Sequence, residues 1–385
     1  MQGTKMEYKK INELTTVVTG GTPSTRKNEY WDNGDIPWLQ SGCCQNCDVD
    51  STEKYITKEG YNNSSTHMMS ADTVMIALTG ATAGKVGYLK FEACGNQSIT
   101  GILPCESLNQ RYLFFYLLSQ REKILADCVG GAQAHISQSY VKNMTIPILA
   151  IKEQEQIVGE LTKVSNIVSL RQEEIQQLDN LVKARFVEMF GDCTNMISLS
   201  ELCLIITDGT HQSPKFQHDG IPFILVSNLS KNTVTYDTDK FISAETYKEL
   251  YKRTPIEIGD ILLSTVGSYG HPAVVVEDRK FLFQRHIAYL KPKSDILNSY
   301  YMHGALLSPG CQRQIEEKVK GIAQKTLNLS EIRKIRIPVP SLDLQKQYAD
   351  FVHQVNKSKF DTMTFAPIYA IINLYLHTYF YQGRR

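Results

Sequence analysis

The sequence predicts an α+β protein: two similar α/β domains separated by a long antiparallel two-helix coiled coil, with pseudo-two-fold symmetry. Three observations carry this expectation. A glycine-poor, proline-free heptad stretch lies in mid-chain, the segments before and after it repeat one another in order, and a second, shorter heptad stretch follows the second copy.

The mid-chain stretch runs from Ile151 to Phe190, and its only glycine is Gly159. Ile157, Leu161, Val164, Val168, Ile175, Leu178, Val182 and Met189 recur at alternating steps of four and three, with Arg171 and Arg185 in the two gaps. That is a heptad seam flanked by Glu, Gln and Lys. As one helix it would be roughly 60 Å long, too long for the core of a compact domain and suited to a spacer. Its seam requires a partner helix. The two arginines either fix the register as polar core positions or extend to solvent.

Residues 1–150 form the first predicted head. Lys10–Val18 is a short element ending at the turn Thr19-Gly20-Gly21-Thr22-Pro23, Ile36-Pro37-Trp38 starts a strand, Thr73–Leu78 is an apolar strand, and Gln110–Leu118 has a helical pattern. Residues 151–195 are the spacer, 196–340 the second head, and 341–385 a second spacer that becomes atypical after residue 360. The heads match at Leu14 with Leu202, Thr19-Gly20 with Thr207-Asp208-Gly209, and Ile36-Pro37-Trp38 with Ile221-Pro222-Phe223. Further on, Leu78-Thr79 through Gly84 match Ser264-Thr265 through Gly270, and Asn96-Gln97-Ser98-Ile99 match Gln284-Arg285-His286-Ile287. Ala132-Gln133 match Ala323-Gln324, Ile146-Pro147 match Ile337-Pro338, and Gln154 and Gln156 match Gln345 and Gln347. The offset drifts from 185 to 191 and then holds, as small loop insertions would produce. The second copy supplies the partner helix, from Leu342 through Leu344, Tyr348, Phe351 or Val352, and Val355.

Net charge is +1, spread as −1 over 1–150, −3 over 151–195, +3 over 196–340 and +2 beyond. A polyanion partner would therefore have to be met by basic groups concentrated on one face. Nine cysteines at irregular spacing predict reduced thiols in a cytosol rather than a disulfide frame. The first residues lack the pattern of a signal peptide. The apolar run Ala366–Tyr381 is shorter than the ~20 residues of a membrane span and contains Asn373 and His377.

The paired motifs resemble the specificity subunit of type I DNA restriction–modification systems. The resemblance rests on Val18-Thr19-Gly20-Gly21-Thr22-Pro23-Ser24 with Gly34-Asp35-Ile36-Pro37-Trp38, and on Ile206-Thr207-Asp208-Gly209-Thr210-His211 with Asp219-Gly220-Ile221-Pro222-Phe223. It extends to Ile146-Pro147-Ile148 with Glu153-Gln154-Glu155-Gln156, and to Ile337-Pro338-Val339-Pro340 with Leu344-Gln345-Lys346-Gln347. It implies that each head is a target recognition domain for one half of a bipartite double-stranded DNA site. It also implies that the paired helices set the spacing and dock two methyltransferase (M) subunits, with restriction/translocase (R) subunits completing the complex. The resemblance further implies no catalytic residues and no cofactor on this chain; S-adenosylmethionine, ATP and Mg belong to the partners. The sequence departs from the family after Phe360, where Pro367 interrupts the second helix and predicts that it stops near Thr364.

A half-site reader needs phosphate contacts for position and base-edge contacts for sequence. Glycine-rich turns with Thr, Ser and Lys suit phosphates, whereas Arg, Gln, Asn and His suit base edges. In the first head this selects Thr22, Ser24, Arg26 and Lys27; Thr79, Gly80 and Lys85; and Gln133 with His135. In the second it selects Thr210, His211, Gln212 and Lys215; Ser268, Tyr269 and His271; Gln324 with Lys325; and Arg285-His286, which stands where the first head has Ser98-Ile99. Gly80-Ala-Thr-Ala-Gly84-Lys85-Val86 is one residue short of a P-loop and lacks Ser or Thr after the lysine. Cys44-x-x-Cys47 has zinc spacing without a second pair nearby. The rival reading is a protein-binding scaffold whose rod engages other proteins and whose heads read no DNA; near-neutral net charge leaves room for it.

Overall fold

The computed structural model describes residues 7–128, 135–321, 325–363, 372 and 374–376. They fall into two compact units, Met1–Leu170 with Phe365–Arg385, and Arg171–Thr364. Among the described residues no helix is long and apolar enough to cross a membrane.

In the first unit β1 (Glu7–Lys10) pairs antiparallel with β10 (Thr145–Ile148). The main sheet has the order β2 (Val17–Thr19), β9 (Ile99–Ile102), β6 (Val74–Ala77), β7 (Val86–Leu89), β4 (Cys47–Val49). Residues alternate between the faces of a strand. Val74 and Ile76 of β6 therefore join the core under the helix Gln110–Ser119, while Met75 and Ala77 join a second core with Leu39 and Met69. A small sheet sets β3 (Ile36–Leu39) between β5 (Tyr55–Ile56) and a parallel β8 (Cys94–Gly95).

The second unit repeats this plan. Here β11 (Met196–Ser198) pairs with β19 (Arg336–Pro338). The main sheet is β12 (Cys203–Asp208), β18 (Ile287–Pro292), β15 (Ile261–Ser264), β16 (Pro272–Val274). The small sheet sets β13 (Ile221–Ile224) between β14 (Phe241–Ile242) and a parallel β17 (Leu282–Phe283). Ile261 and Leu263 face one core and Leu262 the other, as in β6.

Two steps in the offset now have physical causes. The pairing of β12 with β18 slips between Cys203 and Ile205, so Leu204 is an extra, exposed residue in a bulge. The match of Leu78-Thr79 to Ser264-Thr265 is one residue out of register. Leu78 N donates to Ser98 O and Thr265 N to His286 O, so Leu78 answers to Thr265 and Gly80 to Gly267. The deletion lies inside the turn, between Gly267 and Gly270. Lys10–Val18 likewise resolves into the end of β1, a turn of helix Ile11–Leu14, and the start of β2.

The buried glutamines are repeated atom for atom. Gln154 Oε1 accepts from Asn109 N at 2.8 Å and its Nε2 donates to Leu149 O at 2.9 Å. Gln345 Oε1 accepts from Asn298 N at 2.9 Å and its Nε2 donates to Pro340 O at 3.0 Å. Both residues are fully buried, and each ties the N-cap of the helix Gln110–Ser119 or Ser299–Leu307 to the chain entering its own helix.

The spacer forms one helix, Ile151–Phe190. In the first unit Ile157 and Leu161 enter the core with Ile372 and Leu376, and Tyr375 donates to Glu160. In the second, Phe186 and Phe190 join Tyr301, Tyr348 and Val352. The seam residues Val164, Val168, Ile175, Leu178, Val182 and Met189 are half-buried. In the second unit Phe186 and Phe190, which lie outside the heptad seam, are better buried than the seam residues Ile175, Leu178, Val182 and Met189. The partner helix is described over Leu342–Met363 and runs antiparallel to residues 171–190: Lys359 meets Asp179 and Tyr348 meets Phe186 and Phe190. Val352 rather than Phe351 takes the buried seam position. Arg171 and Arg185 each pair with the glutamate three residues on, Glu174 at 2.5 Å and Glu188 at 2.8 Å, so neither is a core position. Pro367 and most of the apolar run 366–381 lie outside the described residues.

Candidate nucleic-acid interface

The four antiparallel strands common to both main sheets gather their loops at one edge, while β4 is added parallel to β7 in the first. In the first unit β2 and β6 end, and β9 and β7 begin, at the same side. Backbone bonds then stitch the loops together. Gly20 N donates to Ile99 O at 3.2 Å, Gly21 N to Gly95 O at 2.8 Å, and Ile136 N to Leu78 O at 2.9 Å. Thr22 Oγ1 donates to Gln97 Oε1 at 2.6 Å, and Thr79 bridges to His135. Gly20 is needed for this closeness, since a Cβ there would lie 2.0 Å from the Gly95 carbonyl oxygen.

The second unit builds the same edge. Gly209 N donates to Ile287 O at 3.1 Å, Thr210 N to Phe283 O at 3.0 Å, Leu327 N to Thr265 O at 2.8 Å, and Gly267 N to Lys325 O at 3.1 Å. Val266 bridges to Thr326 as Thr79 does to His135. A Cβ on Gly209 would lie 2.3 Å from the Phe283 carbonyl oxygen.

The sequence-selected residues divide on this frame. Thr22, Thr79, Gly80 and His135 meet at the first edge. Ser24, Arg26 and Lys27 are gathered against the small sheet instead. Ser24 O accepts from Trp31 Nε1 at 3.1 Å, Trp31 packs edge-on to Trp38 at 5.0 Å, and Arg26 is exposed. Lys27 Nζ donates to Tyr30 Oη at 2.9 Å, and that bond chiefly holds its pKa above the usual lysine value. Lys85 Nζ reaches Gln45 Oε1 at 2.6 Å. Gln133 and Gln324 lie outside the described residues.

In the second unit Thr210, Arg285, His286 and Lys325 meet at the edge; Arg285 N donates to Thr210 O at 3.1 Å and Arg285 Nε to His286 Nε2 at 3.3 Å. Partial burial, and then the neighbouring Arg285 charge, hold the His286 pKa below its usual value. Gln212, Lys215 and Ser268 are exposed, and Tyr269 is half-buried with Lys325 Nζ 5.9 Å from its ring centre. His271 turns inward, Nδ1 3.0 Å from Asn232 Oδ1.

Sequence reasoning missed Gln97, Asp208 as an anchor, and Arg253. Gln97 and Asp208 stood in the repeated motifs and were open to selection. Arg253 lies 45 residues from Asp208, to which its side chain bonds at 2.6 Å, and carried no local signal. Gly80–Thr82 is a turn inside the β6–β7 hairpin, not a strand-to-helix loop, so the P-loop context is lacking. Cys44 is buried and Cys47 exposed, and among the described residues no three His, Cys, Asp or Glu are placed to hold a metal.

The sequence model described as "Type I restriction modification DNA specificity domain" matches residues 4–180 and again 194–367. The chain is 32% identical over 170 residues to the type I restriction enzyme EcoR124I/EcoR124II specificity subunit of Escherichia coli, a match spanning 43% of this chain and 42% of that protein. It is 23% identical over 374 residues to the MjaIX specificity subunit of Methanocaldococcus jannaschii, spanning 90% of this chain and 85% of that one. The crystal structure of a type I restriction–modification system S subunit from M. genitalium superposes with a TM-score of 0.50 at 16% identity, covering 98% of this chain and 96% of that chain. That last likeness establishes the fold.

Proposed function

The chain belongs to the type I restriction–modification DNA specificity family, and from that premise we propose that it is a non-catalytic specificity subunit whose two repeats each read one half of a bipartite DNA site. The observation that carries this reading is the doubled loop edge. The four strands common to both main sheets present loops at the same strand ends, stitched by the same backbone bonds but carrying different side chains. A shared scaffold with unlike loops suits a reader of two unlike sequences. Thr22 and the backbone around Gly80 are suited to phosphate; Arg285, His286 and Lys325 are suited to base edges or phosphate in the second half-site. The long helices set the spacing of the half-sites and dock two methyltransferase subunits. Those partners, with restriction/translocase subunits, supply S-adenosylmethionine, ATP and Mg chemistry in the cytoplasm.

The test is to express the chain with methyltransferase partners and map methylation across a genome. A split motif with halves about one helical turn apart is expected. A continuous motif counts against the two-reader scheme. A salt series on DNA carrying that motif completes the test: binding through phosphates weakens steeply with salt. No DNA binding even with the partners present would favour a protein-binding scaffold.

A further inference from the structure

We propose that Arg253, held in place by Asp208, is a base-reading residue of the second repeat, with its guanidinium directed at a guanine edge. This rests on the DNA-reading function proposed above and adds a residue that neither motif nor loop pattern selects.

Asp208 ends β12, at the point where the chain enters the loop edge. Its Oδ1 accepts from an Arg253 terminal nitrogen at 2.6 Å, and its Oδ2 lies 2.9 Å from His211 Nε2. The exposures give this cluster a direction: the Asp208 side chain is 18% accessible, against 49% for Arg253 and 52% for His211. The carboxylate is the more buried group, and the guanidinium and the imidazole are the more exposed ones.

A carboxylate at a DNA-facing edge repels phosphate unless its charge is neutralised within the protein. Here Arg253 neutralises it, and the arrangement gains something a free arginine lacks. Arginine has many rotamers, and fixing one of its five N–H donors on Asp208 removes much of that freedom before DNA arrives. The remaining donors still include a pair spaced for the O6 and N7 acceptors of guanine, the commonest specific contact in the major groove. His211 braces the second carboxylate oxygen and acts as a positioning residue.

The first repeat provides an internal contrast. Thr19 ends β2 where Asp208 ends β12, and its Oγ1 faces Thr100 Oγ1 at 3.3 Å. The scaffold position is shared and the charged cluster is not, which is where a difference between half-sites can be written.

The experiment uses the full chain with its methyltransferase partners and a DNA library randomised over the split motif. Wild type, Arg253→Ala, Arg253→Lys and Asp208→Asn are compared for methylation preference, salt dependence and thermal unfolding. Arg253→Ala is expected to lose about 10- to 100-fold preference at one base pair of the second half-site, leaving the first half-site unchanged. Arg253→Lys should lose preference at the same base pair, because lysine keeps the charge without the fork. Asp208→Asn should lose less, again at that position. Uniform weakening over all sequences, with a salt slope reduced by about one, would make Arg253 a phosphate contact and overturn the proposal. An unchanged motif with a lowered melting temperature would reduce the cluster to a structural ion pair. Full preference in Arg253→Lys overturns the fork geometry. A wild-type chain that directs no split motif brings down the parent reading itself, and this inference with it.

Discussion

In the first unit the long helix presents Ile157 and Leu161 to a core that includes Tyr112, whereas in the second the partner helix presents Tyr348 and Val352 to Tyr301, Phe186 and Phe190. The ungapped match through Gln154 and Gln345 makes Tyr348 the counterpart of Ile157. Around these dissimilar side chains the polar framework is unchanged: Tyr112 Oη donates to Pro147 O at 3.0 Å and Tyr301 Oη to Pro338 O at 2.6 Å. Backbone satisfaction is an all-or-none requirement and tolerates few solutions, whereas an apolar cavity of given volume can be filled in several ways. Duplicated units therefore drift in packing sooner than in buried hydrogen bonding.

The largest test of that contrast is to empty the seam. Tyr348→Ala removes a fully buried ring packed against three aromatics and should cost about 3–5 kcal/mol in chemical denaturation. Ile157→Ala should cost about 2–4 kcal/mol, the smaller side chain leaving the smaller cavity. An equal cost at both sites would mean that the aromatic cluster adds nothing to the joint. Next in size, Gln154→Ala and Gln345→Ala each orphan buried backbone groups, at about 1–3 kcal/mol. These two values should agree closely if the device is the same in both repeats, and a wide gap between them would break the equivalence.

If the loop edges read DNA as proposed, the repeats should behave independently. Arg285→Ala is expected to relax the second half-site by about 10-fold or more at one position and leave the first alone, read by methylation mapping. Relaxation of both halves would refute one reader per half-site.

A pH difference should also separate the repeats. The His303 Nε2 lies 3.0 Å from Asn232 O and 3.2 Å from Pro272 O, and burial holds its pKa below the usual imidazole value. A depressed folded-state pKa means that the unfolded chain binds the proton more readily. The contribution to stability is then complete above pH ~6.5 and declines as pH falls below it. Phe114 stands in the equivalent helix of the first unit and does not titrate. Denaturation midpoints between pH ~7 and ~5 should therefore fall more steeply for wild type than for His303→Gln, and parallel curves would assign the slope elsewhere.

Much of this frame was legible in the sequence because duplication writes each constraint twice. Gln154 with Gln345, Gly20 with Gly209, and the matched loops could be read by comparing the chain with itself. The bulge at Leu204 and the shortened turn between Gly267 and Gly270 could not be placed, since a one-residue step has the same sequence signature wherever in a loop or strand it falls. Phe186 and Phe190 were passed over because heptad steps weigh spacing, whereas burial here is decided by Tyr301 and Tyr348 arriving from elsewhere in the chain. Lys85 looks like a free cation in a sequence, but it is engaged by Gln45, forty residues away, which only folding supplies; the partner of Lys27, Tyr30, stands three residues on and was within reach of the sequence.

The pinch at Gly20 and Gly209 has a practical corollary. Each glycine lets two backbone runs cross with no room for a methyl group. Side chains outside the crossing are free to be exchanged, while the crossing itself holds the stretches that bear them at a fixed height. For protein engineering these two residues are natural seams: a transplanted segment cut there, and again at the start of the following strand, arrives with its anchoring geometry already specified by the host.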